Sequence, residues 1–206
     1  LTATLAAKRK RAGTKSSILL FESHRGFEKL KPLAFQFAFN DPDEEEIDSA
    51  LLFQGYTGRR QDTYHSILKK VQGNKYRIAD AVQTAISQGE VTRTIGDFGF
   101  PDPLKPFQDA FTSLLAPKKL LEADVQKQTF YFEHEGQKFP LEALSSGERE
   151  VVNITFDFLL RNPSDSIIFF DEPEVHLHPE LVQKLVQTII GIGERNQFIF
   201  CTHSPH

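Results

Sequence analysis

Two short apolar runs, Ile167-Ile168-Phe169-Phe170 and Phe198-Ile199-Phe200-Cys201, flank the segment Pro179 to Glu194, in which Leu181, Val182, Leu185, Val186, Ile189 and Ile190 recur at helical spacing. Runs of β-branched and aromatic residues without polar alternation fit strands buried on both faces. A helix of this length between two such strands fits a parallel pair joined by a right-handed crossover, since antiparallel neighbours need only a tight turn. The fold class expected is therefore α/β, a parallel sheet with flanking helices. Upstream, Glu148 to Leu160 reads as a helix carrying Val151, Val152, Ile154, Phe158 and Leu159. Ile18 to Phe21 reads as a strand, as does Leu33 to Phe39, whose Leu33, Phe35, Phe37 and Phe39 share one face. Thr129 to Phe139 alternates around Glu135-Gly136-Gln137 and predicts a hairpin.

Between Ile47 and Leu121 the pattern is mostly helical but poorly periodic, with breaks expected at Gly73, at Gly89 and across Phe98 to Pro103. The acidic run Asp41 to Glu46 reads as a solvated face near a turn or helix start. A chain of 206 residues can bury a core without disulfides or metal staples. With 39% hydrophobic residues and 19 Phe it is not a disordered chain, and its apolar runs are too short to span a bilayer. The formal net charge of -4 carries no global basic field of the kind that binds nucleic acid. A single cysteine, Cys201, excludes an internal disulfide, and no apolar segment with a cleavage site follows the first basic residues, so a cytoplasmic location is expected. The chain starts at Leu1, lacks Met and stops at His206 just after a strand, so it reads as a piece of a longer protein.

Parallel sheets bind ligands beyond the carboxyl ends of their strands, and both predicted strand ends carry reactive groups. Asp171 and Glu172 follow the first: one carboxylate suits a hydrated Mg²⁺, the other can orient or deprotonate water. Thr202-His203-Ser204 follows the second and places an imidazole there. Ser145-Ser146-Gly147 opens a helix, whose free amides and dipole favour an anion such as a phosphate. Each feature alone also has a plainer reading: a turn at Asp171-Glu172-Pro173, a capped helix start at Ser145 to Glu148, a surface histidine at His203. Their order and their placement on these elements are what single them out.

Together they resemble the ATP-binding-cassette (ABC) ATPases, within them the branch related to SMC and RecF proteins and to the ATPase domains of overcoming-lysogenization-defect nucleases and similar phage-defence AAA/ABC ATPases. The resemblance rests on Leu144 to His206, with weaker support from Ile18 to Phe39. It implies an ABC-ATPase head, P-loop NTPase-like, with residues 1–40 as the remainder of an N-terminal nucleotide lobe, 41–125 as a mainly helical insertion and 126–206 as the core. Leu144-Ser145-Ser146-Gly147-Glu148 resembles the signature motif, which assigns Ser145, Ser146, Gly147 and Glu148 to ATP bound by a partner subunit. Ile167 to Asp171 resembles the Walker B strand, with Asp171 the Mg²⁺-associated carboxylate and Glu172 the group that polarises water; His203 corresponds to the switch histidine. Residues 175 to 178 take the D-loop place at a dimer interface, in the Glu-Val-His-Leu-His-Pro form of the SMC- and RecF-like branch. Read by alternation alone, His176 and His178 also suggest a metal pair, though no third ligand stands at a fitting spacing.

The family's P-loop is not met by Gly13-Thr14-Lys15-Ser16, where Thr14 and Arg9 occupy the two glycine positions, so the true one is expected before Leu1 and the chain alone should not hydrolyse ATP. Gln36 is a candidate Q-loop glutamine, and Lys8 to Arg11 with Lys15 a candidate contact to DNA phosphates. The resemblance thus implies an ATPase using ATP and Mg²⁺, a homodimer through composite ATP sites, and a role in DNA repair, chromosome maintenance or antiviral defence with a nuclease or other effector as fused domain or partner. A nucleotide-sensing scaffold with little turnover and a transporter ATPase subunit are the competing readings.

Overall fold

The computed structural model describes residues 18–23, 60–89, 95–124, 126–127 and 129–203. The expected strand Leu33 to Phe39, Gln36, the acidic run at 41–46, the basic run at 8–11, the segment Gly13 to Ser17, and Ser204 lie outside them.

Among the described residues three strands form a parallel sheet: β1 (Ile18–Phe21), β5 (Ile167–Asp171) and β6 (Gln197–Cys201), with β5 in the middle. Ile18 pairs with Ile167 and Ile167 with Gln197, so the three strands run in step to their carboxyl ends. Between β5 and β6 the chain crosses through α4 (Pro179–Ile190), as the spacing of its apolar residues predicts; the helix stops four residues short of Glu194. Burial on both faces, expected from the apolar runs, is corrected to burial on one: Leu19, Phe21, Ile168 and Phe170 are buried while Leu20 and Ile167, on the alternate face, are exposed. On the buried side the phenylalanines stack across strands, with ring centroids 4.4 Å apart for Phe21 and Phe170 and 5.6 Å for Phe170 and Phe200. Phe158 of α3 (Ser146–Arg161) stacks on Phe21 at 5.1 Å, which seats that helix on the sheet.

A second, antiparallel sheet joins β2 (Lys119–Leu120), β3 (Tyr131–His134) and β4 (Gln137–Pro140). The predicted hairpin turn is present: Glu135 and Gly136 have φ of 51° and 73°, the left-handed pair that a two-residue turn between twisted strands requires.

Helix α1 (Arg60–Ser87) corrects one expectation, because it runs straight through Gly73. An isolated glycine costs a helix about 1 kcal/mol relative to alanine. Burial of Tyr64, Ile67, Leu68 and Val71 on the preceding turns outweighs that. Both α1 and α2 (Lys105–Leu115) lie against α3, and Tyr64, Ile67, Phe107 and Phe111 join Phe156, Phe158, Leu19 and Ile168 in one apolar core. Polar groups are buried at the α1–α3 contact as well: the Thr63 hydroxyl donates to Asp157 at 2.9 Å, Arg161 Nε donates to the same oxygen at 2.7 Å, and Tyr64 donates to Asn153.

Candidate functional site

Strands β5 and β6 finish together, with Asp171 opposite Cys201. Pairing persists one residue further, because the Glu172 amide donates to the Cys201 carbonyl at 2.7 Å. There the chain turns sharply: Glu172 has φ of 46°, in the left-handed region that side chains other than glycine seldom enter. Val175 N then bonds back to the Glu172 carbonyl and Leu177 N to that of Glu174, with His176 also left-handed at φ 64°. Such backbone positions concentrate where side chains must be aimed for function.

This turn throws Glu172 toward the residue that follows β6. Its Oε1 lies 3.4 Å from His203 Nε2. The imidazole is 90% exposed, so it is open to a ligand on its other sides. Two residues on, Glu174 Oε1 accepts hydrogen bonds from the Thr202 hydroxyl at 2.6 Å and from the His203 amide at 2.9 Å. Asp171, Glu172, Glu174 and His203 therefore stand around the open end of one strand pair. Such a set can orient water, move a proton and offer hard oxygen donors to a cation. Among the described residues no three His, Cys, Asp or Glu side chains converge as a metal cage. Mg²⁺ needs none, since it usually takes one or two carboxylates together with phosphate oxygens and water.

The start of α3 is built separately. Ser145 is its N-cap: the Ser145 hydroxyl accepts from the Glu148 amide and the Glu148 carboxylate accepts from the Ser145 amide, a reciprocal capping box. Lys118 holds the same carboxylate at 2.6 Å. Burial alone would raise the Glu148 pKa, but the hydrogen bond from Lys118, those from Ser145 and the Lys118 charge together hold it below its usual value. Gly147 is buried, and a Cβ there would stand 3.3 Å from the His176 carbonyl and 3.4 Å from Leu177 Cδ2. The contacts of Ser145, Gly147 and Glu148 thus run to each other, to Lys118 and to the 176–181 segment, whereas those of Glu172 and Glu174 run to the end of β6. Ser145 and Ser146 remain exposed. An open groove of about 500 Å³ beside Ser145 is lined by Lys118, His178, Lys184 and the last turn of α2.

His176 and His178 do not sit on a strand face. Residues 173–176 form a turn, and His178 caps α4, its Nδ1 accepting from the Glu180 amide at 3.4 Å. Two residues at these sites escaped the sequence reading. Glu174 carried a signal, an acidic side chain in the turn leaving a strand end; Lys118 carried none, because it is 30 residues away from its partner Glu148.

A model of the family described as "AAA domain, putative AbiEii toxin, Type IV TA system" matches residues 19–206. The chain is 33% identical over 81 residues to "Retron Vc95 probable ATPase" of Vibrio cholerae serotype O1 biovar El Tor, an alignment covering 34% of this chain and 16% of that protein. It is 27% identical over 103 residues to "Septu protein PtuA" of Bacillus mycoides (strain KBAB4), covering 47% of this chain and 14% of that one. The chain therefore spans less than a fifth of the length of either relative.

Proposed function

This chain belongs to that AAA-domain family, and from that premise we propose that it is the part of an ATP-hydrolysing switch that carries the water-activating carboxylate and the phosphate-sensing histidine. The observation that supports the reading most is the meeting of Glu172 and His203 at 3.4 Å beyond two parallel strands. Asp171 is the carboxylate that would hold Mg²⁺, and the ion would supply positive charge to offset the phosphates of ATP. Glu172 orients the attacking water and accepts its proton, its carboxylate lying 3.4 Å from His203 at a left-handed backbone position. His203 donates to the terminal phosphate from its exposed side. The Ser145 and Ser146 hydroxyls and the Ser146 and Gly147 amides, at the amino end of α3, serve the phosphate held by a second copy, with Glu148 keeping the cap in shape through the Ser145 amide.

In this reading two copies close over two ATP molecules and reopen after hydrolysis, as in the SMC- and RecF-like branch. The motion serves antiviral defence or another DNA-related process through a nuclease or other effector, in keeping with relatives named for a retron and for Septu. Residues 126–206 act as the motif-bearing core and 41–125 as a helical insertion in a chain whose P-loop lies elsewhere.

The test is ATP-dependent phosphate release and solution mass of the full-length protein, with and without DNA, for the wild type and for Glu172→Gln. Hydrolysis by the wild type, with the variant inactive and held as an ATP-bound dimer, is the expected result. Unchanged hydrolysis by the variant removes Glu172 from the role. Dimerisation of both forms without turnover replaces the enzyme by a nucleotide-sensing scaffold.

A further inference from the structure

We propose that Glu174 is the positioning residue of the strand-end site, holding His203 where it meets Glu172; this rests on the reading of Glu172 and His203 as the working pair. The residues just beyond β6 are exposed, His203 almost wholly so, and side-chain burial therefore does little to place them. A single oxygen, Glu174 Oε1, accepts from both the Thr202 hydroxyl and the His203 amide, at 2.6 and 2.9 Å. Both donors precede the imidazole by at most one residue, so fixing them fixes where the His203 side chain starts. Glu174 is itself tied to the turn that aims Glu172, through the Leu177 amide on its own carbonyl and the Val175 amide on that of Glu172. One turn therefore carries the carboxylate and grips the segment that carries the imidazole. Strand pairing ends with the Glu172 amide on the Cys201 carbonyl, and the grip of Glu174 carries the hold on to the two residues that follow.

Both donors are neutral, so the grip needs an acceptor oxygen and not a charge. A glutamine at this position retains that oxygen, and an alanine removes it. This separates positioning from a role as a base, which glutamine would abolish, or as a charged metal ligand, which it would weaken.

The experiment measures kcat and KM for ATP in the full-length protein for Glu174→Ala, Glu174→Gln and Thr202→Val, together with amide hydrogen exchange at residues 202–203. In Glu174→Ala, kcat is expected to fall about 10- to 100-fold, the usual consequence of misplacing a reacting group by about 1 Å. KM changes little, and the His203 amide exchanges faster. Glu174→Gln restores both rate and protection. Thr202→Val, which removes one donor from the opposite side, shows a smaller effect in the same direction and serves if the alanine variant does not fold. Wild-type exchange and rate in both Glu174→Ala and Thr202→Val overturn the proposal. So does a Glu174→Gln form that keeps protection yet is as slow as Glu174→Ala, since the charge would then be what matters. The exchange readout does not depend on turnover: if the wild type fails to hydrolyse ATP, or Glu172→Gln is fully active, the functional reading fails while the exchange pattern still decides whether Glu174 holds His203.

Discussion

Glu148 shows how one side chain can hold two segments distant in the chain. Its carboxylate closes the capping box with Ser145 and accepts from Lys118, with both charged side chains about one-fifth exposed. Its pKa is lowered on folding, so its contribution to stability is fully present above the usual glutamate value of 4.5 and is lost as pH falls through the folded-state value. Glu148→Gln is therefore expected to be less stable than the wild type by about 1–2 kcal/mol at neutral pH. That deficit shrinks as the pH falls below 4.5, a trend that thermal melts across the range will check. The capping pattern Ser-x-x-Glu is visible in the chain, and so is the placement of Asp171, Glu172 and His203, because strand ends follow from the apolar runs before them. Lys118 and the grip of Glu174 are not legible there. Both depend on distances between residues 28 to 30 apart, which no local pattern encodes.

At the scale of elements, the two strands that carry the site are held in step at their opposite ends. Ser164 bridges Glu194, the Arg195 guanidinium makes two bonds to Asp165 at 2.6 and 2.7 Å, and the Asn196 side chain bonds to Pro163, Ile192 and Ser166. Gly193 makes this approach feasible: its φ is 76°, and a Cβ would lie 1.9 Å from the Pro163 carbonyl oxygen. Gly193→Ala is therefore expected to cost about 2 kcal/mol or more, from the left-handed backbone together with the collision, and to lower the urea midpoint accordingly. A slip in this clasp shifts β6 against β5, and with it His203 against Glu172. The periodicity of α4 and the aromatic strands made these elements predictable. Their exact ends were less so: α4 closes at Ile190, with turns, not helix, leading into the clasp. Helix α1 through Gly73 was unpredictable for a related reason, since burial against α3 overrides the local preference.

Across the whole molecule, α1 is joined to α3 by packing and by a buried polar lock. Asp157 and Arg161 are 1% and 6% exposed at their side chains, and Thr63 of α1 donates to the same Asp157 oxygen. Removing one partner strands a buried charge, so Asp157→Ala is expected to lose about 3–5 kcal/mol in chemical denaturation. The double change Asp157→Ala with Arg161→Met is expected to lose less than the single one, because it leaves no uncompensated guanidinium. Among the described residues no helix is long and apolar enough to cross a membrane. The α/β class agrees with the expectation drawn from Leu144 to His206, and the family match bears out its coarser part, an AAA domain, while the ABC, SMC- and RecF-like placing belongs to the proposed function. What the residues determined by themselves was the local order: apolar strand, acidic end, capped helix, apolar strand, histidine, because hydrophobic period and capping chemistry act over a few residues. Only the tertiary structure decided that Glu172 faces His203, that Glu174 holds Thr202 and the His203 amide, and that Gly147 is packed against the His176 carbonyl, because these contacts arise when distant strands align and helices pack, and a chain's pattern of neighbours says nothing of that distance.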